Sequence, residues 1–421
     1  MLQLIHRLVD RCRGAQYPDA RGAAASEPAL FRRPELASRM ASALMSHHHA
    51  SGLFLTAPRR TGKSTFIRHD LKPALEQEHR ALVLYADLWG RRNEDPGTVI
   101  VDLIKEAVTR HEDRAVRMLD RLSLSRLKAP GVEWELKKER VEREPSLCEL
   151  LERLSDLARQ TVVLVIDEVQ QTQATRLGRD VLYMLKSARD QLNGCEQLKF
   201  RFVATGSHNE KIQCLVSDKH QAFYMAPLDV LPTLEAEAYF LWARRLHGPG
   251  FMPGLPAMAR AFEICLRRPE PFHQACRGAA AMERLSPEMQ EQMLLCLARE
   301  QIDVERCKLY LRLQPLKPLD QALLRLLAED GLAFSPYFPA AARRLKAMLA
   351  AVPDDGVPEV SETAIEMALN RLCEARLVWR GDGPYALEES QFAQWLLERD
   401  PVVVATPPMH LPQQEQTAQI A

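Results

Sequence analysis

From Phe31 onward the chain alternates two hydrophobic periods. Helical spacing in ELASRMASALMS gives way to the uninterrupted apolar run LFLTA. TFIRHDLKPALEQE then returns to a helical pattern before ALVLYADL, and a long helical region leads to TVVLVIDEV, the helix VLYMLKSARDQL and the run FRFVATG. Short apolar runs with no polar alternation predict strands buried on both faces, and helices between them predict parallel crossovers. An α/β core is therefore expected over 31–229, with a helical insertion at about 91–160. After Pro227 the strands are expected to stop. Residues 230–312 read as a helical lid with turns punctuated by proline (HGPGFMPGLP, RRPEP, LSPE), and Pro315 and Pro318 mark a linker.

Over 313–400 the pattern is helix, helix, helix, hairpin: LDQALLRLLAEDG, AAARRLKAMLAAV, SETAIEMALNRLCEARL with Ser361 as N-cap, and VWRGDGPYALEE as two short strands around Gly381 to Gly383. That order predicts a winged helix-turn-helix domain. Residues 1–30 read as a lead-in of small residues and proline, and 401–421 as a disordered tail rich in proline and glutamine.

Composition narrows the class. With 421 residues, 46% of them apolar and 27% charged, the chain is long enough for about three folded domains. Fifty-six basic residues balance fifty-six acidic ones, so no global field draws the molecule to nucleic acid or to an anionic membrane. No apolar run approaches the roughly 18 residues needed to span a bilayer. The first residues carry His6, Arg7, Asp10, Arg11 and Arg13 where an export signal has its apolar centre, so a cytoplasmic protein without a membrane partner is expected. The nine cysteines are scattered without CxxC spacing and read as reduced, mostly buried residues. His47, His48 and His49 read as a solvated loop, because three adjacent residues do not all face one ion.

The chemistry begins at Ala57-Pro58-Arg59-Arg60-Thr61-Gly62-Lys63-Ser64-Thr65, between the run LFLT and a helix. In such a phosphate loop successive backbone N–H groups converge on a phosphate at a helix N-terminus. Gly62 permits the close approach, Lys63 reaches the β and γ phosphates of ATP, and the Ser64 hydroxyl completes Mg2+ coordination. The strand Val162 to Ile166 ends in two carboxylates. Asp167 is placed to hold Mg2+ through water or Ser64, and Glu168 to orient and deprotonate the attacking water. FRFVATG runs out into Thr205-Gly206-Ser207-His208-Asn209. There Ser207 is the candidate to sense the phosphate and the water, the alternative being an ordinary polar turn. The fold class is thus an α/β P-loop NTPase core, a parallel sheet flanked by helices, with a helical lid and a C-terminal winged helix-turn-helix domain.

Together these motifs resemble the archaeal-type, AAA-related P-loop ATPase family, which is similar to the STAND and origin-recognition ATPases. The resemblance rests on Phe31-Arg32-Arg33-Pro34-Glu35-Leu36 as the aromatic-Gly-Arg-Glu box, PRRTGKS at 58–64, the DE pair with its following apolar residue and glutamine at 167–170, TGS at 205–207, the segment AFYMAPLDVLPTLEAEAYF, and Phe392 and Trp395 of the last helix. It covers about 31–400. The resemblance implies nucleotide contact by Arg33, although Arg32 replaces the box glycine. It implies a lid turn near the adenine where Arg267-Arg268-Pro269-Glu270-Pro271 stands, with Pro269 packing on the base and Arg268 sensing the phosphates. No arginine lies between Asn209 and Pro227, so a ring-forming motor with a trans-acting finger is less favoured than a switch.

From Leu319 to Asp400 there are eight basic residues against fourteen acids, the wrong sign for neutralising DNA phosphates. A protein partner or self-association is favoured for this region. Arg110, Arg114, Arg117 and Arg121 recur at helical spacing and form a candidate contact stripe for nucleic acid, an acidic partner or a neighbouring subunit's ATP, or else a solvated face. Three functions stay open: a switch that hydrolyses ATP to ADP and phosphate, a non-catalytic nucleotide-dependent scaffold, and a DNA-binding ATPase regulator or clamp.

Overall fold

The computed structural model of the chain describes residues 30–46, 51–121, 144–194, 198–207, 209–234, 236–282, 285–350, 360–380, 385–389 and 391–398. The lead-in before residue 30, His47 to His49, His208, the middle of the helical insertion and the 401–421 tail lie outside the described residues, as do the side chains of Arg117 and Arg121.

The first half builds one sheet. After helix α1 (Pro34–Met45) come strand β1 (Leu53–Thr56) and a helix that starts at Lys63–Phe66 (α2), widens through Ile67–Leu71, and continues as Lys72–Glu78 (α3). Then follow β2 (Leu82–Asp87), α4 (Pro96–Arg121), α5 (Leu147–Ala158), β3 (Val162–Asp167), a 3-10 turn (Val169–Ala174), α6 (Arg176–Leu192), β4 (Phe200–Gly206), α7 (Asn209–Ser217) and β5 (Leu228–Val230). The sheet order is β2-β3-β4-β1-β5, and every pairing is parallel. β4 therefore separates the phosphate-loop strand β1 from the acidic strand β3.

Both faces are covered, as continuous apolar strands require. Val162, Leu164 and Ile166 face a cluster with residues of α4, α5 and α6, such as Ile104, Leu151 and Leu185. Val163 and Val165 face the opposite cluster, with Ala37, Leu44, Phe66 and Leu71 of α1 and the helix after the phosphate loop. All five are fully buried, and each contributes roughly 1.5–3 kcal/mol by leaving water. The expectation that strands stop at Pro227 needs correction, because β5 follows at once and pairs with β1 through Phe54↔Leu228 and Thr56↔Val230. Only three residues long, at the sheet edge and with Val230 exposed, it has no apolar run to announce it.

Beyond the sheet the chain is helical: α8 (Glu237–Leu246), α9 (Leu255–Ile264), α10 (Pro269–Ala280) and the long α11 (Pro287–Leu313). Their core is aromatic, built on Tyr239, Trp242, Phe262 and Phe272, and Phe31 joins it at ring-centroid distances of 5.3 Å from Tyr239 and 5.5 Å from Trp242. α11 serves two cores. Met293, Leu294 and Leu297 belong to the lid, whereas Ile302, Leu309 and Leu313 pack with α12 (Pro318–Asp330), α13 (Pro339–Leu349) and α14 (Glu362–Glu374). Strands β6 (Val378–Arg380) and β7 (Tyr385–Leu387) pair antiparallel as the wing, and α15 (Gln391–Leu397) returns Phe392 and Trp395 to this core. Ser361 caps α14 by accepting from Ala364 N at 3.3 Å. Among the described residues no helix is long and apolar enough to cross a membrane.

Candidate functional site

Parallel strands in register bring their carboxyl ends to one edge, where α/β sheets bind ligands. Thr56 lies opposite Gly206, Thr205 opposite Asp167, and Asp167 opposite Asp87. The loop after β1 turns over this edge. Arg60 (φ 65°) and Gly62 (φ 89°) both adopt left-handed backbone. At Gly62 an added Cβ would meet no atom within 4 Å, so the loop leaves open space on that side. Thr61 Oγ1 closes the turn by donating to Pro58 O at 2.7 Å, and Phe66 N donates to Gly62 O at 2.9 Å as the helix begins.

Lys63 drops from the first turn of α2 into the sheet edge, with its side chain 4% exposed. Its ammonium donates to Asp167 Oδ1 and to Thr205 Oγ1 (3.0 Å), and lies 3.3 Å from Glu168 Oε1. Asp167 accepts also from Thr205 Oγ1 and from Tyr85 Oη, the latter at 2.6 Å. Burial works to raise the Asp167 pKa, but the Lys63 charge and the donated hydrogen bonds outweigh it and hold the carboxyl down at about 2. Asp167 is thus an anion at any physiological pH, as a Mg2+ ligand must be.

Glu168 sits in left-handed backbone (φ 60°, ψ 46°), a conformation that costs a non-glycine residue on the order of 1 kcal/mol and recurs at functional sites. Its Oε2 accepts from Ser207 Oγ (2.8 Å) and Gln170 Nε2 (2.6 Å), so the carboxylate is aimed rather than solvated. Gln170 is fully buried, and its Oε1 has no hydrogen-bond partner. That oxygen lies 2.4 Å from where a Cβ on Gly206 would stand, so glycine at 206 is what lets β4 pass so close.

The two loop arginines diverge, Arg59 toward Ser207 and Arg60 toward the lid. Arg59 Nε lies 3.4 Å from Ser207 Oγ, its Nη2 lies 3.4 Å from Glu388, and its guanidinium rests 5.0 Å from the Trp89 ring. Arg60 reaches Glu270 and Glu305 of the lid, each at 3.7 Å, which sets the start of α10, and Pro269 with it, across from the phosphate loop. Arg33 stacks 4.7 Å over Phe66 and donates to Pro232 O at 2.8 Å. Arg268 is 1% exposed and ion-paired to Glu305 at 2.6 Å, with Nη1 left unpartnered. Ser64 and Thr65 are half-buried at the loop's end, and Pro58 is exposed. Arg110 and Arg114 are exposed on α4.

The structure therefore gathers Lys63, Asp167, Glu168 and Ser207 into one hydrogen-bonded cluster with Arg59 at its rim. The sequence motifs do not name Tyr85, Lys211 or Glu388, and they name Gln170 only within the run 167–170. Tyr85 and Gln170 had a local signal, an aromatic residue two positions before the end of β2 and an amide two positions after Glu168. The donor set fits Mg2+, a hard cation that takes one or two carboxylate or hydroxyl oxygens and leaves the rest to phosphate and water. Among the described residues no cluster of three or more His, Cys, Asp or Glu offers an all-protein metal cage.

No family model matches the chain, and no curated protein matches it. Among solved structures it is similar to the Walker-type ATPase of Pyrococcus abyssi, with 18% identity over 87% of this chain and 96% of that one and a TM-score of 0.45. It is similar also to the Aeropyrum pernix ORC2 protein in its ADP form, with 16% identity over 89% and 96% and a TM-score of 0.49. A third is the Aeropyrum pernix ORC1 protein in complex with DNA, with 18% identity over 89% and 94% and a TM-score of 0.39.

Proposed function

We propose that the chain is a Mg2+-dependent ATPase that works as a conformational switch on a protein partner. The observation that carries the reading is the convergence of Lys63, Asp167, Glu168, Thr205 and Ser207 at the carboxyl ends of β3 and β4 beside the phosphate loop. Backbone N–H groups of 59–65 and the Lys63 ammonium bind the β and γ phosphates. Ser64 and Asp167 hold Mg2+, which when bound neutralises charge on the phosphate oxygens. Glu168, aimed by Ser207 and Gln170, takes the proton of the attacking water, and Ser207 reports on the phosphate. Pro269 lies on the adenine side, with Arg33 supporting the loop helix from Phe66.

The switch reading draws on the lid contacts. Arg60 of the loop and Arg268 of the lid share Glu305, so a change at the phosphates reaches α10 and α11 through one carboxylate. A protein partner is favoured over DNA by α14, whose exposed face carries Glu362, Glu366 and Glu374 while Arg371 is engaged by Asp320 at 2.5 Å. The test is phosphate release with Mg2+ and ATP: slow turnover in the native chain and a loss of at least a hundredfold in Glu168→Gln, with ATP still bound. Equal turnover by the two proteins would refute hydrolysis at this site.

A further inference from the structure

Glu388 follows β7 in the winged unit, yet its side chain is at the nucleotide site. Oε2 accepts from Lys211 Nζ at 2.8 Å, and Oε1 lies 3.4 Å from Arg59 Nη2. Lys211, in the first turn of α7 after the Thr205-Gly206-Ser207 turn, is 1% exposed. Its ammonium also lies 5.2 Å from the Trp379 ring of β6. Burial opposes its charge and Glu388 sustains it. Arg59 touches Ser207, and Ser207 donates to Glu168. The network therefore runs Asp167, Lys63, Glu168, Ser207, Arg59, Glu388, Lys211, with three cations against three carboxylates.

Such a balance suits a site without nucleotide. A buried lysine requires an anion. A γ-phosphate arriving beside Ser207 brings a second anion to cations that already hold one, and like charges at such range disfavour each other. Resting on the ATP-site reading above, we propose that Arg59 and Lys211 are anion-binding residues on the γ-phosphate side of the site, and that Glu388 occupies them until ATP displaces it. Docking of the β6–β7 wing and binding of ATP are then competitors, and by linkage each weakens the other by the same factor. ADP, lacking the γ-phosphate, competes little.

The experiment is equilibrium titration of the full chain with fluorescent ATP and ADP analogues, together with hydrogen exchange of the wing strands. Glu388→Gln, near-isosteric and uncharged, is expected to bind ATP about tenfold more tightly and ADP within about threefold of the native chain. Lys211→Met is expected to lose ATP affinity more than ADP affinity. Both variants break the buried Lys211–Glu388 pair, so each is read only once a native-like cooperative melting curve shows it folded; Glu388→Gln, which leaves both cations in place, then decides between the outcomes. In the native chain, amides of 378–380 and 385–387 should exchange faster with ATP than with ADP. Unchanged or weaker ATP binding by Glu388→Gln, equal gains for both nucleotides, or wing exchange indifferent to ATP would each overturn the proposal. Lys63→Ala separates this failure from that of the ATP-site reading. If it binds nucleotide like the native chain, or if neither the native chain nor Glu388→Gln binds any, the site itself is wrongly assigned and the latch falls with it. If it loses binding while Glu388→Gln is unchanged, only the latch is refuted.

Discussion

Two buried polar networks in this molecule are treated in opposite ways. At the ends of β3 and β4 the groups stay charged: Lys63 neutralises Asp167 and Glu168, and every carboxylate is fed by further donors. In the lid, His247 Nε2 meets His273 Nδ1 at 3.0 Å, and His273 Nε2 meets Tyr239 Oη at 3.0 Å, inside a ring of aromatic residues. Among the described residues, no carboxylate is one of the groups that shift either histidine. Burial, helped by the Arg277 charge and for His247 by His273, pushes the imidazoles down to about 3 and about 4, so both are neutral at physiological pH. On the reading proposed above, the charged network is one whose counter-ions a phosphate replaces, whereas the neutral one holds shape.

The largest effect that would sharpen this contrast is at Asp167. Removing one partner of a buried ion pair costs about 3–5 kcal/mol, and Glu168 at 3.3 Å from Lys63 recovers part of it. Chemical denaturation of Asp167→Asn at pH 7 should show a loss of about 3 kcal/mol. Because the folded pKa of Asp167 lies below its unfolded value, its stabilisation is present above pH about 4 and is lost as pH falls toward 2. That acid limb should be shallower in the variant.

Gly206→Ala comes next. Its Cβ would meet Gln170 Oε1 at 2.4 Å and Ile212 Cδ1 at 2.7 Å, an overpacking that costs about 1–3 kcal/mol. Because Gln170 positions Glu168, phosphate release should fall by more than the melting shift explains. A variant that melts lower but turns over normally would show that Gln170 does not aim Glu168.

The lid should respond to mild acid instead. Both histidines have folded pKa values below the ordinary 6.5, so the unfolded chain takes up protons first and stability declines as pH drops from about 6.5 toward 4. The loss between pH 7 and pH 5 should be on the order of 2 kcal/mol for each histidine, read from melting curves, and about half as large in His247→Phe. A flat profile in the native chain would mean that the two imidazoles take up protons in the fold as readily as in the unfolded chain. The smallest effect expected is that of Ser207→Ala, which removes one donor to Glu168 and should slow phosphate release about tenfold with little change in melting.

What the sequence disclosed follows from how local each signal is. The runs LFLT, LVLYAD, VVLVID and FRFVATG are strands because both faces of the sheet are covered, and burial on two faces writes itself into consecutive apolar residues. The edge strand Leu228–Val230 has one pairing partner and no such run, so it stayed hidden. The entry of β4 between β1 and β3 is set by tertiary packing. At the site, Lys63, Asp167 and Glu168 were legible because a phosphate loop and an acidic strand end are each fixed within a few residues. Glu388 was not. Its partners lie 177 and 329 positions away, and no local pattern in YALEE marks which glutamate turns inward. Arg268 shows the middle case. RRPEP reads as a turn, and only the structure shows the guanidinium buried against Glu305 after two left-handed residues, Leu266 and Arg267.

ATP hydrolysis here requires a triphosphate lying between the turn that holds Lys63 and the acid pair at 167 and 168. Calorimetric titration of the native chain and of Lys63→Ala with ATP and Mg2+ tests this most directly. Saturable one-to-one binding is expected of the native chain, and affinity at least a hundredfold weaker of a folded Lys63→Ala protein. Native-like binding by that variant, or none by the native chain and Glu388→Gln alike, would contradict the placement of ATP at this site.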